Sequence, residues 1–389
     1  MVFLLAVVLL AQNYTQRGFL ETRFTLYPQK VANDSARSIG EALVRYEGFY
    51  KPIPNLEISG AVDLRIDTHH QVERRWRLGW DDRELQRPSA SVRSLRALYN
   101  QRGLTIEAGK QFVRWGKTDI VTPSDRFAPR DFLTVLNNEF IATSGIRATL
   151  ERGSNTIDAV WAPRFTPSRI PLADQRWFSA TLPVGKTDFP GAGEAGLRFS
   201  HAGLVEYALF LYHGFNHAPA FELKPPTFTL SRFYPKIRVA GADAAVALKW
   251  FTLKMEGAYF DSADSRSDDY LQYVLQVERQ AGEWSFVGGY AGEVVGERGS
   301  AASFDPDRGL TRTLIGRADY TIDASRSVAS EVAIRQNGEG AWIRFEYSQA
   351  FGQHWRTTAG LGVIRGTAGD FLGQYRRNSN GVVVLRYSF

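Results

Sequence analysis

The chain has 389 residues, with 47 Lys and Arg against 41 Asp and Glu, and is 44% hydrophobic and 23% charged. The charged fraction excludes a disordered chain, a scattered net charge of +6 argues against a nucleic-acid binder built on a basic stripe, and the absence of Cys excludes disulfides and thiolate metal sites. The excess lies in 25 Phe, 16 Tyr, 9 Trp and 35 Gly, against 2 Met, which favours strands and tight turns over a helical bundle.

In chain order, the first element is the run MVFLLAVVLLA at residues 1–11, which turns abruptly polar at Gln12. It is shorter than the ~20 apolar residues of a spanning helix and fits a signal-peptide core cleaved after Ala11. No base precedes it and Leu9 is large for its position; a trimmed or misassigned start explains the first. A buried N-terminal strand or helix turn is the other reading. Residues 12–389 then form a single domain. No later apolar stretch reaches helical spanning length, so a membrane protein of this sequence crosses by strands, because lipid-embedded backbone must satisfy itself in helices or a closed barrel.

Residues 55–68 alternate with period two, setting Leu56, Ile58, Val62, Leu64 and Ile66 against Glu57, Ser59, Asp63, Arg65 and Asp67. The pattern returns with Ile146, Ala148 and Leu150 against Arg147, Thr149 and Glu151, then with Phe251, Leu253, Met255 and Tyr259 against Lys254 and Glu256. It returns again with Trp284, Phe286 and Tyr290 against Glu283, Ser285 and Glu293, and with Ala341, Ile343, Phe345 and Tyr347 against Trp342, Arg344 and Glu346. Short connections such as Gly153-Ser154, Ala202-Gly203, Ala281-Gly282, Ala324-Ser325 and Phe351-Gly352 alternate with long ones at 81–89, 163–192, 214–235, 262–268 and 296–308. Turns on one rim and loops on the other predict an all-β transmembrane antiparallel barrel of about 18 strands, with 16 as the alternative. Residues 90–101 and 236–248 break parity and are expected to contain bulges.

A soluble sandwich also alternates, but this many strands is excessive for one. In a barrel the pattern turns inside out. The expected inward set is Glu21, Arg23, Arg45, Glu47, Glu57, Asp63, Arg65, Glu107, Arg147, Glu151, Arg198, Arg317, Asp319, Glu331, Arg335, Arg344 and Glu346. The apolar face meets outer-membrane lipid, with aromatics near strand ends as interfacial girdles.

Residues 109–131 read GKQFVRWGKTDIVTPSDRFAPRD and break the alternation. Mixed charge this dense is costly against lipid, which places the segment in the lumen as a constriction or plug whose charges pair. The candidates are Arg114, Trp115, Lys117, Asp119, Asp125, Arg126, Arg130 and Asp131. A plain rim loop with a stabilising charge network is the competing reading. Residues 132–140 are expected to form a short helical or extended piece of the same insertion. Four bases against three acids argue against a strongly anion-selective pore, an Arg cluster favours carboxylates, and Trp115 and Trp161 are candidates to stack on sugar rings or apolar solutes.

Two further signals are resemblances. The chain ends with Val383, Leu385, Tyr387 and Phe389 on one face, which resembles the C-terminal signature of outer-membrane barrels read by the barrel assembly machinery. Gly109, Lys110, Gln111, Trp115, Gly116, Pro123, Asp125, Trp161, Pro163, Phe165 and Pro167 resemble the motif residues of porin-like outer-membrane proteins related to the alginate-export barrels, with Thr122 where that group commonly has Asn. The resemblance implies a barrel that passes or binds an extracellular solute of unidentified kind, as monomer or trimer.

The sequence therefore predicts an outer-membrane porin or channel of a Gram-negative bacterium for small polar or charged solutes, without enzyme activity, metal or cofactor. The alternatives are a non-conducting plugged barrel for docking or adhesion, and an outer-membrane hydrolase using His69 or His213. No G-x-S-x-G elbow, Walker-type loop or paired-His zinc motif supports the last.

Overall fold

A computed structural model describes residues 13–119, 121–178, 184–224 and 229–389. The expected signal segment, residues 1–11, lies outside the described residues. Strands β1 (Tyr14–Leu26), β2 (Ser38–Ile53), β3 (Leu56–Asp67), β4 (Ala90–Gln101), β5 (Leu104–Gln111) and β6 (Thr143–Arg152) open the sheet. They continue as β7 (Asn155–Ala162), β8 (Glu194–His201), β9 (Val205–Phe215), β10 (Lys236–Ala247), β11 (Thr252–Ser262) and β12 (Asp269–Ala281). The last six are β13 (Trp284–Glu297), β14 (Thr313–Thr321), β15 (Arg326–Arg335), β16 (Gly340–Phe351), β17 (Trp355–Gly366) and β18 (Asn380–Ser388). Each pairs antiparallel with its successor, and β18 pairs back with β1 from Phe19↔Ser388 to Leu26↔Gly381, closing an 18-strand barrel. Closure removes every spanning edge that lipid could not satisfy.

Period two sorts each strand between lipid and lumen. Leu20, Phe24, Leu64, Ile66, Leu211, Leu361 and Val383 point outward, uncovered by protein, as an apolar belt requires. On the turn side a girdle gathers: Trp284 lies 4.6 Å from Tyr320 and 5.4 Å from Phe286, and Trp355 lies 5.0 Å from Tyr387. Inward, facing strands exchange ion pairs: Arg45 grips Asp63 at 2.6 and 2.8 Å, Arg147 grips Asp158 at 2.6 Å, and Arg198 reaches Asp243 at 2.7 Å. The β4–β5 turn places Arg102 and Gly103 at φ of 50° and 82°, the two positive angles that let a two-residue hairpin follow the strand twist.

One of the two expected irregularities is present. Ala61 faces Ser94 whereas Val62 faces Val92, so Arg93 is extra and β4 bulges there. Residues 236–248 are different: β10 keeps unbroken register with both neighbours. Its parity looks broken because apolar Ile237 and Val239 face inward while Lys236 and Arg238 face outward.

Barrel closure sets a test. Gly18 N donates to the Phe389 carbonyl at 2.9 Å and its own carbonyl accepts from Phe389 N at 3.0 Å. A Cβ at Gly18 would lie 2.6 Å from the Arg45 carbonyl and 2.7 Å from the Phe389 ring. Gly18→Val is expected to lower the yield of the fast-migrating folded band in unheated gels; wild-type yield would contradict this account of closure.

Candidate functional site

Residues 112–119 and 121–142, between β5 and β6, leave the wall and fold into the lumen. The departure is built by glycine. Gly109 has φ +128°, and a Cβ there would sit 2.2 Å from the Leu95 carbonyl oxygen. Lys110 is buried: its ammonium donates to the Trp80 carbonyl at 2.6 Å and pairs with Asp82, clamping the β3–β4 loop. Gln111 donates to the Gly145 carbonyl at 3.2 Å.

The insertion then makes a carboxylate-centred turn. Asp125 accepts from the backbone N of Trp115 and of Gly116, both at 2.7 Å, and from Arg114 Nε at 3.1 Å. The Trp115 ring packs edge-on to Phe127, 5.3 Å away, and its Nε1 donates to Asp158 at 3.0 Å. Val113, Trp115 and Phe127 join Val160, Phe210, Tyr212, Ile237, Val239, Phe260 and Tyr270 in one apolar cluster. The largest such cluster thus lies inside the barrel, between the insertion and the β7–β12 wall.

One wall carboxylate, Glu256 on β11, fastens this segment. It accepts from Lys117 N (2.9 Å), Thr118 N (3.1 Å), Thr118 Oγ1 (2.9 Å), Ser124 N (2.8 Å) and Ser124 Oγ (2.6 Å), and is 3% exposed. Lys117 pairs with Glu206 at 2.7 Å, and Asp119 N donates to Gln276 at 3.0 Å. His217 ties the neighbouring loops down, with ring nitrogens 2.5 Å from the Thr166 carbonyl and 2.7 Å from the Arg126 carbonyl.

Farther along, Arg130–Asp131 pairs antiparallel with Glu139–Phe140, and the residues between them are extended and turned, not helical. Arg87 holds Asp131 at 2.9 and 3.0 Å, and Arg169 adds 3.1 Å. Burial alone would raise the Asp131 carboxyl; Arg87, Arg169 and Arg65 overcome it and hold it well below the usual range. Glu139 follows the same logic: burial opposes ionisation, but Arg65, Arg93, Arg87 and Arg45 bring it down to about 2. Val135 and Leu136 reach across to Trp177, Trp342 and Ile364.

Open space lies between this tip and the wall formed by β16–β18 and β1–β4. Three adjoining cavities of about 80, 70 and 40 Å³ follow that path. The first two share Arg23, Glu41, Thr134 and Asn137; the last two share Arg65, Arg87 and Glu139. Each holds only a few waters at ~30 Å³ apiece.

The wall charges are layered. In Arg386–Glu21 the side chains are 43% and 9% exposed, and in Arg317–Asp319 55% and 33%. Arg198 and Arg147 likewise stand in front of buried Asp243 and Asp158. In these four pairs the guanidinium is the more exposed partner, whereas Arg87–Glu41, Lys117–Glu206 and Lys254–Asp119 put the acid outermost. Glu139 also reverses the order, being more exposed than Arg65, so an acid on the insertion faces an arginine wall.

The predicted residues therefore divide. Asp63 and Arg65 border the smallest of these cavities, as do Asp131 and Glu139 of the insertion, and Arg344, beside Glu346, lines the first. Arg114 is half-exposed on Asp125. Trp115, Asp125 and Arg126 are taken up in packing, Arg126 stacking over Phe260 at 4.8 Å, and Arg130 meets Asp307 at 3.4 Å. Glu107 pairs with Arg96 and Arg147, Glu57 with Lys51 near the turn rim, and Glu151 sits at that rim. Arg335 is a brace: it holds Asp370 and the Gly309 carbonyl, each at 2.8 Å. Trp161 faces outward, 54% exposed, which removes it as a lumen stacking platform. His69 pairs with Asp34 at 2.8 Å, whereas His213 points out of the barrel. Sequence reasoning did not single out Glu256, Arg87, Asn137, Glu139 or Arg169 as site residues.

Two outcomes follow from this geometry. Glu256→Ala leaves four donors without their acceptor, the Thr118 hydroxyl keeping the Val121 carbonyl at 2.6 Å, each worth ~1–3 kcal/mol if left dry, so single-channel current is expected to become larger and noisier; an unchanged trace would show that the insertion is held elsewhere. For Glu139, a depressed carboxyl stabilises the fold above its ordinary value of 4.5, and that contribution is lost only as pH falls through about 2. The reversal potential in a salt gradient is therefore expected to stay flat from pH 7 to pH 5 and to shift toward anions in Glu139→Gln; a titration inside that window that Glu139→Gln abolishes would contradict it.

No protein-family model matches the sequence, and no curated relative matches it. Solved structures do. OccAB4 of Acinetobacter baumannii is 10% identical, with a TM-score of 0.58 over 97% of this chain and 98% of that one. A BenF-like porin of Pseudomonas fluorescens Pf-5 is 9% identical, with a TM-score of 0.60 over 97% and 98%. OpdQ of Pseudomonas aeruginosa is 12% identical, with a TM-score of 0.55 over 97% and 98%. At these identities the likeness is one of fold, that of outer-membrane porins.

Proposed function

We propose that the protein is a bacterial outer-membrane channel for small solutes, and that solutes bearing a carboxylate are its preferred class. The observation that carries the class is the arginine lining of the three cavities: Arg23 and Arg344 border the first, and Arg65 and Arg87 border the other two. A carboxylate can take two parallel bonds from such a group, and a row of them along a narrow path lowers the barrier to entry without trapping the solute at one site. Residues 112–142 are the selectivity element in this reading, with Thr134, Asn137 and Glu139 on one side of the passage and Arg23, Arg65 and Arg87 on the other.

The motif residues support kinship with the porin-like group related to the alginate-export barrels through what they do. Gly109, Lys110, Gln111, Trp115, Gly116 and Asp125 all take part in launching or bracing the insertion. Removal of residues 1–11 and recognition of Phe389 by the barrel assembly machinery belong to the same reading.

The test is flux and conductance of the refolded barrel. Liposomes are expected to swell faster in a small carboxylate than in a neutral solute of equal size, and Arg23→Gln with Arg344→Gln is expected to remove that preference severalfold. Replacing residues 113–141 by a short Gly-Ser linker is expected to raise conductance. No conductance in either form, from a folded barrel, would sink the channel and favour a plugged docking barrel.

A further inference from the structure

The outer wall carries an inversion that channel function does not use. Toward the loop ends of β9 and β10 the usual arrangement reverses: Tyr212, Ile237 and Val239 are buried inward, while His213, Lys236 and Arg238 project outward. The inward half is explained by the insertion, whose Trp115 and Phe127 need an apolar wall. Nothing inside the barrel requires the outward half to be basic.

Register places these groups together. His213 is the direct cross-strand partner of Arg238, and Lys236 lies one outward step nearer the loop rim on β10. Below them Ala195, Ala159 and Ala240 leave the wall shallow between Leu197, Leu211 and Tyr259. The result is an outward cavity of about 710 Å³. From Arg238 to Ala240 the floor runs about 7 Å down the strand at ~3.4 Å per residue. One acid shares the crown, Asp261, at 4.0 Å from Arg238; no ion pair engages Lys236 or His213 among the described residues.

We propose that this groove binds a phosphorylated lipid of the outer leaflet. Its phosphate would lie on Arg238, Lys236 and His213, and one acyl chain would follow the alanine floor toward the bilayer centre. Three points select this occupant over a second copy of the chain. The groove opens onto the apolar belt, where an acyl chain replaces lipid at no cost in desolvation. The bases sit on the long-loop side, which is the extracellular side of such barrels. Their net charge is positive after Asp261 is counted, whereas a twofold contact between two copies would set like charges together. A basic side chain on the lipid face costs ~0–1 kcal/mol at the interface against ~2–4 at the midplane, so the headgroup level is where such a cluster persists.

The experiment is native mass spectrometry of the refolded full-length barrel in detergent, titrated with diphosphorylated lipid A, with its dephosphorylated counterpart and with inorganic phosphate. A one-to-one adduct with the phosphorylated lipid is expected, weakened about tenfold in Lys236→Ala/Arg238→Ala, as loss of charge-assisted phosphate bonds requires. Ala240→Phe fills the groove without changing charge and is expected to weaken the adduct too, while conductance of both variants stays that of wild type. Equal adducts in wild type and both variants, equal binding of the dephosphorylated lipid, saturation by inorganic phosphate alone, or a chain dimer in place of the adduct would each overturn the proposal. None of these outcomes bears on whether the barrel conducts.

Discussion

A single buried carboxylate organises the interior. Glu256 projects from β11 and satisfies three backbone N–H groups and the Ser124 hydroxyl of the insertion, with the Thr118 hydroxyl shared between it and the Val121 carbonyl. A loop that crosses a wide barrel has few backbone partners of its own, and those donors, buried against the wall, would otherwise go unpaired. With them satisfied, Trp115 and Phe127 can settle on the wall, Asp125 can close its turn, and the chain beyond residue 130 is delivered to the opposite side. The passage is what this packing leaves unfilled.

The barrel reverses the usual relation between core and surface. Lipid covers the apolar belt, so the protein's own apolar clusters form where the insertion and the extracellular loops press on inward faces. Inward charges then split by exposure. Beneath the insertion they are sealed, as with Asp243 and Asp158; along the open side arginines reach the water. A single set of alternating strands thus serves as anchor on one side and as conduit on the other, according to what covers it.

Most of the fold was legible because period two and turn chemistry are local. The strand at 55–68, the turns at Gly153 and Gly282 and the outward-facing Phe389 needed no tertiary information. The bulge at Arg93 announced itself as broken parity. The same sign at 236–248 meant something else, since Ile237 and Val239 turn inward to meet Trp115 and Phe127 from a segment more than a hundred residues away. The site was half legible. Dense charge at 109–131 marks an insertion that lipid would reject, but composition does not tell which charges become internal braces, so Asp125 and Arg126 read as channel groups. Glu256 was visible as an inward acid on its strand and nothing nearby hinted at the insertion's donors arriving. Arg87 and Arg169 come from loops without a pattern of their own. Trp161 shares parity with outward Ile157 and Ala159, a signal that was present in the sequence.

In the proposed channel the open path runs past the insertion's tip and not behind its anchored limb. Because the chain has no Cys, single cysteines report this directly. A bulky thiol reagent added to single channels of Asn137→Cys is expected to cut the current sharply, while Val121→Cys, sealed between the insertion and β12–β13, is expected to be unaffected. Block at Val121→Cys with none at Asn137→Cys would place the path behind the insertion and contradict the account.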